Sequence, residues 1–172
     1  MTTDTPTAQT VEWLTAEQQT QWRSFRGGAA RLFAALEHEL EQQTGLSTHE
    51  YEVLVRLSET PDRTLRMAQL ADNLAHSRSR LTHTIRRMEE QGLVSRLPCV
   101  EDARGVNCTM TEKGWQVLVA AAPSHVQSVR DHLVDVLTPE QFAALGAAMQ
   151  VVADRIVGGG CDDDPGVPCH VA

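Results

Sequence analysis

Between Leu65 and Met110 the spacing of apolar residues changes repeatedly, and few folds can follow that succession. Met67, Leu70, Ala71 and Leu74 recur at helical spacing. After a brief turn at Ala75-His76, a second helix, capped by Ser77 and stopped by Gly92, carries Leu81, Ile85 and Met88 on one stripe. The period then drops to two: Leu93 to Pro98 and Val106 to Met110 read as strands joined by the polar tip Val100 to Gly105. Two short helices separated by so tight a turn form a helix-turn-helix, and the hairpin beside them forms a wing. A short extended segment, Leu65-Arg66, leads into the first of the two helices. The predicted fold is mainly α with a small β-hairpin.

Long helices flank this unit. Thr15, with Gln18 three residues later, opens an amphipathic helix that repeats Trp22, Phe25, Ala29, Leu32, Phe33, Leu36 and Leu40 and stops near Thr44-Gly45. Gly27-Gly28 within it marks a bend or a close helix contact. Ser47 and Glu50 make an S-x-x-E start for a helix that ends at Thr60-Pro61. Past the hairpin, Thr111 caps a helix that runs through Leu118, Val129 and Leu137, with a kink expected at Pro123. Thr138-Pro139-Glu140-Gln141 starts the last helix, which repeats Phe142, Leu145, Met149, Val152 and Ile156. A winged helix does not need these outer helices, and their stripes would stay exposed on a single copy, so a homodimer is expected. The chain of 172 residues then divides into a flexible N-terminus (1–14), one domain (15–157) and a disordered acidic tail (158–172). Within the domain, 15–44 and 112–157 supply dimerisation helices and 47–111 the winged-helix lobe.

A net charge of -8 would argue against nucleic acid if it were spread evenly, but it is not. From Arg63 to Arg96 seven arginines face three acids, whereas Met1 to Gln21 holds Asp4, Glu12 and Glu17 with no base. With Leu81, Ile85 and Met88 turned inward, the helix after Ser77 shows Ser79, His83 and Arg86, flanked by His76, Arg80, Thr82 and Arg87. Its N-terminal half contains no acid, which suits a polyanion. Arginine forks guanine in the major groove, and hydroxyls and a helix N-terminus suit phosphate. Arg80 and His83 are therefore the candidates for base edges, with Ser77, Arg78 and Ser79 nearer the backbone. Double-stranded DNA is the expected partner.

The run LADNLAHSRSRLTHTIRRMEEQGLV, the D-x-R of Asp102 and Arg104, and the T-E-K-G at 111–114 together resemble the DNA-binding core of MarR family transcriptional regulators. The resemblance extends from about Thr15 to Val157. It implies a six-helix dimer built by the first and last helices, with recognition helices in successive major grooves of a palindromic operator and a wing arginine in the minor groove. Arg104 takes that role and Arg96 belongs to the same wing, while Asp102, two residues from the tip, holds the guanidinium ready. Ala103 and Gly105 stand where further basic residues are frequent in the family. The resemblance also implies a regulator, a repressor in the first instance, tuned by a small aromatic anion. Trp22, Arg23, Arg26, His38 and Tyr51 are candidates to line its cleft.

Cys99 and Cys108 lie on the two hairpin strands, where a suitable register would let oxidation distort the wing. Cys161, Cys169 and His170 with three aspartates in the tail are weak candidates for a metal. No CxxC, HExxH, phosphate-binding glycine loop or nucleophile elbow is present, so neither cofactor, metal nor enzymatic activity is expected. No apolar run approaches the roughly 20 residues of a membrane span, and cytoplasmic localisation is expected. The competing class is a winged-helix protein-interaction module without DNA binding.

Overall fold

Local capping decides where most helices begin and end. Thr15 and Gln18 exchange backbone and side-chain hydrogen bonds ahead of α1 (Ala16–Thr44), and Gly45 ends it at φ 72°. Ser47 and Glu50 close the same kind of box before α2 (Thr48–Ser58). The computed structural model describes residues 11–74, 78–99 and 105–158, with Arg78 by its backbone alone. The calls on residues 1–10, on His76 and Ser77, on Asp102 and Arg104, and on the tail beyond Gly158 lie outside the described residues.

After α2 the chain turns through Pro61–Arg63, with Asp62 and Arg63 in the left-handed region at φ 57° and 52°. Arg63 is held there by the Trp115 ring, 4.1 Å from its guanidinium carbon, and by Glu112 Oε2 at 3.3 Å. β1 (Thr64–Arg66) and α3 (Met67–Asn73) follow, then α4 (Arg78–Glu90), β2 (Val94–Pro98) and β3 (Val106–Met110). The sheet is antiparallel in the order β1-β3-β2, so the extended segment at Leu65-Arg66 is a third strand of the wing.

α4 stops where Gly92, at φ 72°, lets Gly92 N–H reach Glu89 O and Leu93 N–H reach Met88 O, both at 2.8 Å. The T-E-K-G segment is fastened onto this stop. Thr111 Oγ donates to Gly92 O at 2.8 Å, Lys113 Nζ donates to Gln91 O at 2.7 Å, and Gly114 N–H donates back to Thr111 Oγ at 3.0 Å. α5 (Glu112–Val129) begins here and passes through Pro123 without ending. It leaves α geometry later, at a π-helical turn over Arg130–Val134, where Asp135 N–H bonds to Arg130 O at 2.9 Å. α6 (Pro139–Gly158) starts with Thr138 and Gln141 bonded reciprocally.

The core is centred on α2, α3, α4 and the sheet, where Leu54, Leu57, Leu70, Leu81, Ile85, Met88 and Cys108 are fully buried, and α5 adds Leu118 and Ala121. α1 contributes only Leu40 to it, near its end. Farther out, Trp22, Phe25 and Phe33 of α1 and Phe142, Val152 and Ile156 of α6 are exposed, as the stripes at the chain's ends suggested. Among the described residues no helix is long and apolar enough to cross a membrane.

Candidate nucleic-acid interface

The three-four spacing of Leu81, Ile85 and Met88 sets the orientation of α4. All three are no more than 1% exposed, which turns Ser79, Arg80, Thr82, His83, Arg86 and Arg87 outward. Arg86 meets Glu90 at 3.1 Å on the open surface, a pair that solvent leaves weak enough for a phosphate to displace. Arg87 is engaged differently. Its Nε donates to Glu50 Oε1 at 2.8 Å and its Nη2 to Ser47 Oγ at 3.0 Å, and Glu50 is only 2% exposed.

The wing is tied to the same helix. Arg96 on β2 donates its backbone N–H to Glu89 Oε1 at 2.9 Å and its Nε to Glu89 Oε2 at 2.7 Å. The Arg96 hydrogen bond holds the Glu89 carboxyl below its ordinary range, and Glu89 in turn raises Arg96. The two acids at the far end of α4 thus both have basic partners, and one of them joins α4 to the wing. Sequence reasoning singled out Arg87 and Arg96 but not Glu50 and Glu89, their supports. Glu50 was visible only as a capping residue, because its second oxygen is used by an arginine 37 positions away.

The register corrects the reading of the cysteines. Cys108 pairs with Arg96 on one side and Leu65 on the other, while Cys99 N–H bonds to Gly105 O. Cys99 stands three positions beyond Arg96, the residue opposite Cys108, and this odd offset points the two side chains to opposite faces of the sheet. A disulfide across the hairpin is excluded in this arrangement. Burial also pushes the Cys108 thiol up to about 12. Cys99 sits instead with its sulfur 3.5 Å from Arg66 Nη2.

Of the cleft candidates, Tyr51 lines a hollow of about 440 Å³ with Glu52, Arg56, Glu59, Leu74 and His125, where Arg56 is paired with Glu59 at 3.1 Å. Its ring lies 4.5 Å from that of His125, whose Nδ1 is buried without a hydrogen-bond partner and whose pKa is lowered by burial. Trp22, Arg26 and His38 do not line this hollow. Trp22 precedes Leu40, where α1 enters the core, by about 27 Å of helix.

A second, apolar groove of about 500 Å³ lies between α1 and α6, lined by Phe25, Leu32, Phe33, Leu133, Leu145 and Met149 among others. At its edge His132 of the π-helical turn faces Glu39 of α1, with Nε2 2.6 Å from Oε1, and Ser128 Oγ donates to the other carboxylate oxygen.

Comparison with known proteins agrees with this geometry. Residues 46–106 match the model of the MarR family. The fold is similar to that of Sco3205, a MarR family transcriptional regulator from Streptomyces coelicolor crystallised in complex with DNA. The two share 42% identity over 84% of this chain and 91% of that one, with a TM-score of 0.82. AbsC, a MarR family transcriptional regulator from the same organism, is 39% identical over 86% of this chain and 99% of its own, also at 0.82. The HTH-type transcriptional regulator PecS of Dickeya dadantii (strain 3937) is 26% identical over 113 residues, 65% of this chain and 68% of PecS.

Proposed function

The chain belongs to the MarR family of transcriptional regulators, and from that premise we propose that two copies, joined through α1 and α6, hold a palindromic operator in the cytoplasm and repress transcription from it. The protein is a DNA-binding regulator and not an enzyme. The observation that carries the reading is the outer face of α4, where Ser79, Arg80, Thr82, His83 and Arg86 stand exposed above a stripe of buried aliphatic side chains. Arg80 and His83 read base edges, Ser77, Arg78 and Ser79 position the backbone, and Arg104, steadied by Asp102, enters the minor groove. A small aromatic anion acts as effector from a cleft near Tyr51.

Support for the dimer is physical. Phe33 at 65% and Ile156 at 72% exposure stand with Trp22, Phe25, Phe142 and Val152 as large apolar side chains of α1 and α6 left open to solvent, which a partner copy would cover. The testing experiment is a salt titration of binding to the duplex upstream of its own gene. Affinity should fall steeply with salt, and Arg80→Ala and Arg104→Ala should each lose about 1-3 kcal/mol with the fold intact. Binding that is flat across salt, or affinity unchanged in both variants, would refute the reading.

A further inference from the structure

We infer that Arg87 is a positioning residue, which with Glu50 and Ser47 locks the recognition helix to the first turn of α2 rather than placing its charge on phosphate. The inference rests on the DNA-binding reading and concerns how α4 is aimed.

Glu50 has a carboxylate that is 2% exposed, and a buried charge must be compensated on both oxygens. Oε2 accepts the backbone N–H and the hydroxyl of Ser47, each at 2.9 Å. Oε1 accepts Arg87 Nε at 2.8 Å. The guanidinium makes a second contact, Nη2 to Ser47 Oγ at 3.0 Å, so it is pinned at two points to one capping box. A fork held at two points fixes direction as well as distance.

The place of that box in the chain makes the lock consequential. It lies two residues beyond Gly45, where α1 ends, and α1 carries the exposed apolar face of the proposed dimer. Arg87 therefore connects the frame that sets the spacing between two recognition helices to the helix that enters the groove. Along α4 it stands beside the buried Met88, on the flank of the outward face.

The charge logic gives this inference a direct test. A phosphate contact at Arg87 would be served by lysine, and an acid behind it would only repel DNA. A lock needs the fork and the acid together. A duplex is selected by the wild-type protein from a random-sequence pool, and its affinity and that of a scrambled duplex are measured across a salt series for wild type, Glu50→Gln, Arg87→Lys and the double variant.

Glu50→Gln, although it removes a negative charge, should weaken binding about tenfold, within the range of couplings between linked sites. Arg87→Lys should do the same with an unchanged salt slope, the double variant should be no weaker than the poorer single one, and selected-to-scrambled preference should fall in all three. Thermal melting checks folding, and if Glu50→Gln does not fold, Arg87→Lys alone decides. Wild-type affinity in Arg87→Lys, or equal or tighter binding by folded Glu50→Gln, overturns the lock and leaves the regulator. Failure of the wild type to enrich any duplex overturns the DNA-binding reading and the lock with it.

Discussion

Gly114 lies where the first turn of α5 presses on the chain entering β2, and a Cβ there would stand 2.2 Å from the Leu93 carbonyl oxygen. Backbone cannot step aside as a flexible side chain can. Gly114→Ala should therefore cost about 1-3 kcal/mol, read from the urea midpoint at unchanged m-value. Cys108 offers a second test at this scale. Its thiol, raised to about 12 by burial, stays protonated in the folded protein. Native labelling with iodoacetamide at about pH 8, where an ordinary thiol reacts, should leave Cys108 unmodified in the peptide mass spectrum, while denatured protein is labelled. Appearance of a Cys99–Cys108 crosslink under mild oxidant would contradict the register described for the sheet.

Among the elements, α1 and the end of α5 are joined by Glu39, which accepts from Ser128 Oγ and faces His132. Ser128 first and His132 second hold its carboxyl below the ordinary 4.5. The unfolded chain then binds a proton more readily, so the stabilisation is complete above the unfolded value and is lost as pH falls through the folded one. The melting advantage of wild type over Glu39→Gln should accordingly be present near neutrality and narrow as the buffer is taken below 4.5. Much of the element order was legible because its signals are local. Thr15, Ser47, Thr111 and Thr138 cap helices from within three residues, and Gly45 and Gly92 end them through their own φ. The π-helical turn at Arg130 carries no such marker. In the candidate site the outward face of α4 followed from periodicity, whereas the partners of Arg87 and Arg96 depend on which distant acids packing delivers. The strand register, which separates Cys99 from Cys108, is likewise a tertiary property that alternation alone does not specify.

For the whole molecule, the apolar faces of α1 and α6 predict the assembly. Phe33→Glu and Ile156→Glu each place a charge where the proposed partner would bury it, so sedimentation should shift from dimer toward monomer. Binding to a single half-site should survive in those variants better than binding to the full palindrome; a dimer that persists in both would move the interface elsewhere. The outward arginines of α4 have one more effect, because they belong to a body whose net charge is -8. An approaching polyanion is pushed away from most directions and drawn in from one, and the resulting torque turns the regulator before any atoms touch. Its surplus acid thus works as a filter on misaligned collisions, one whose reach shrinks to about 8 Å at physiological ionic strength.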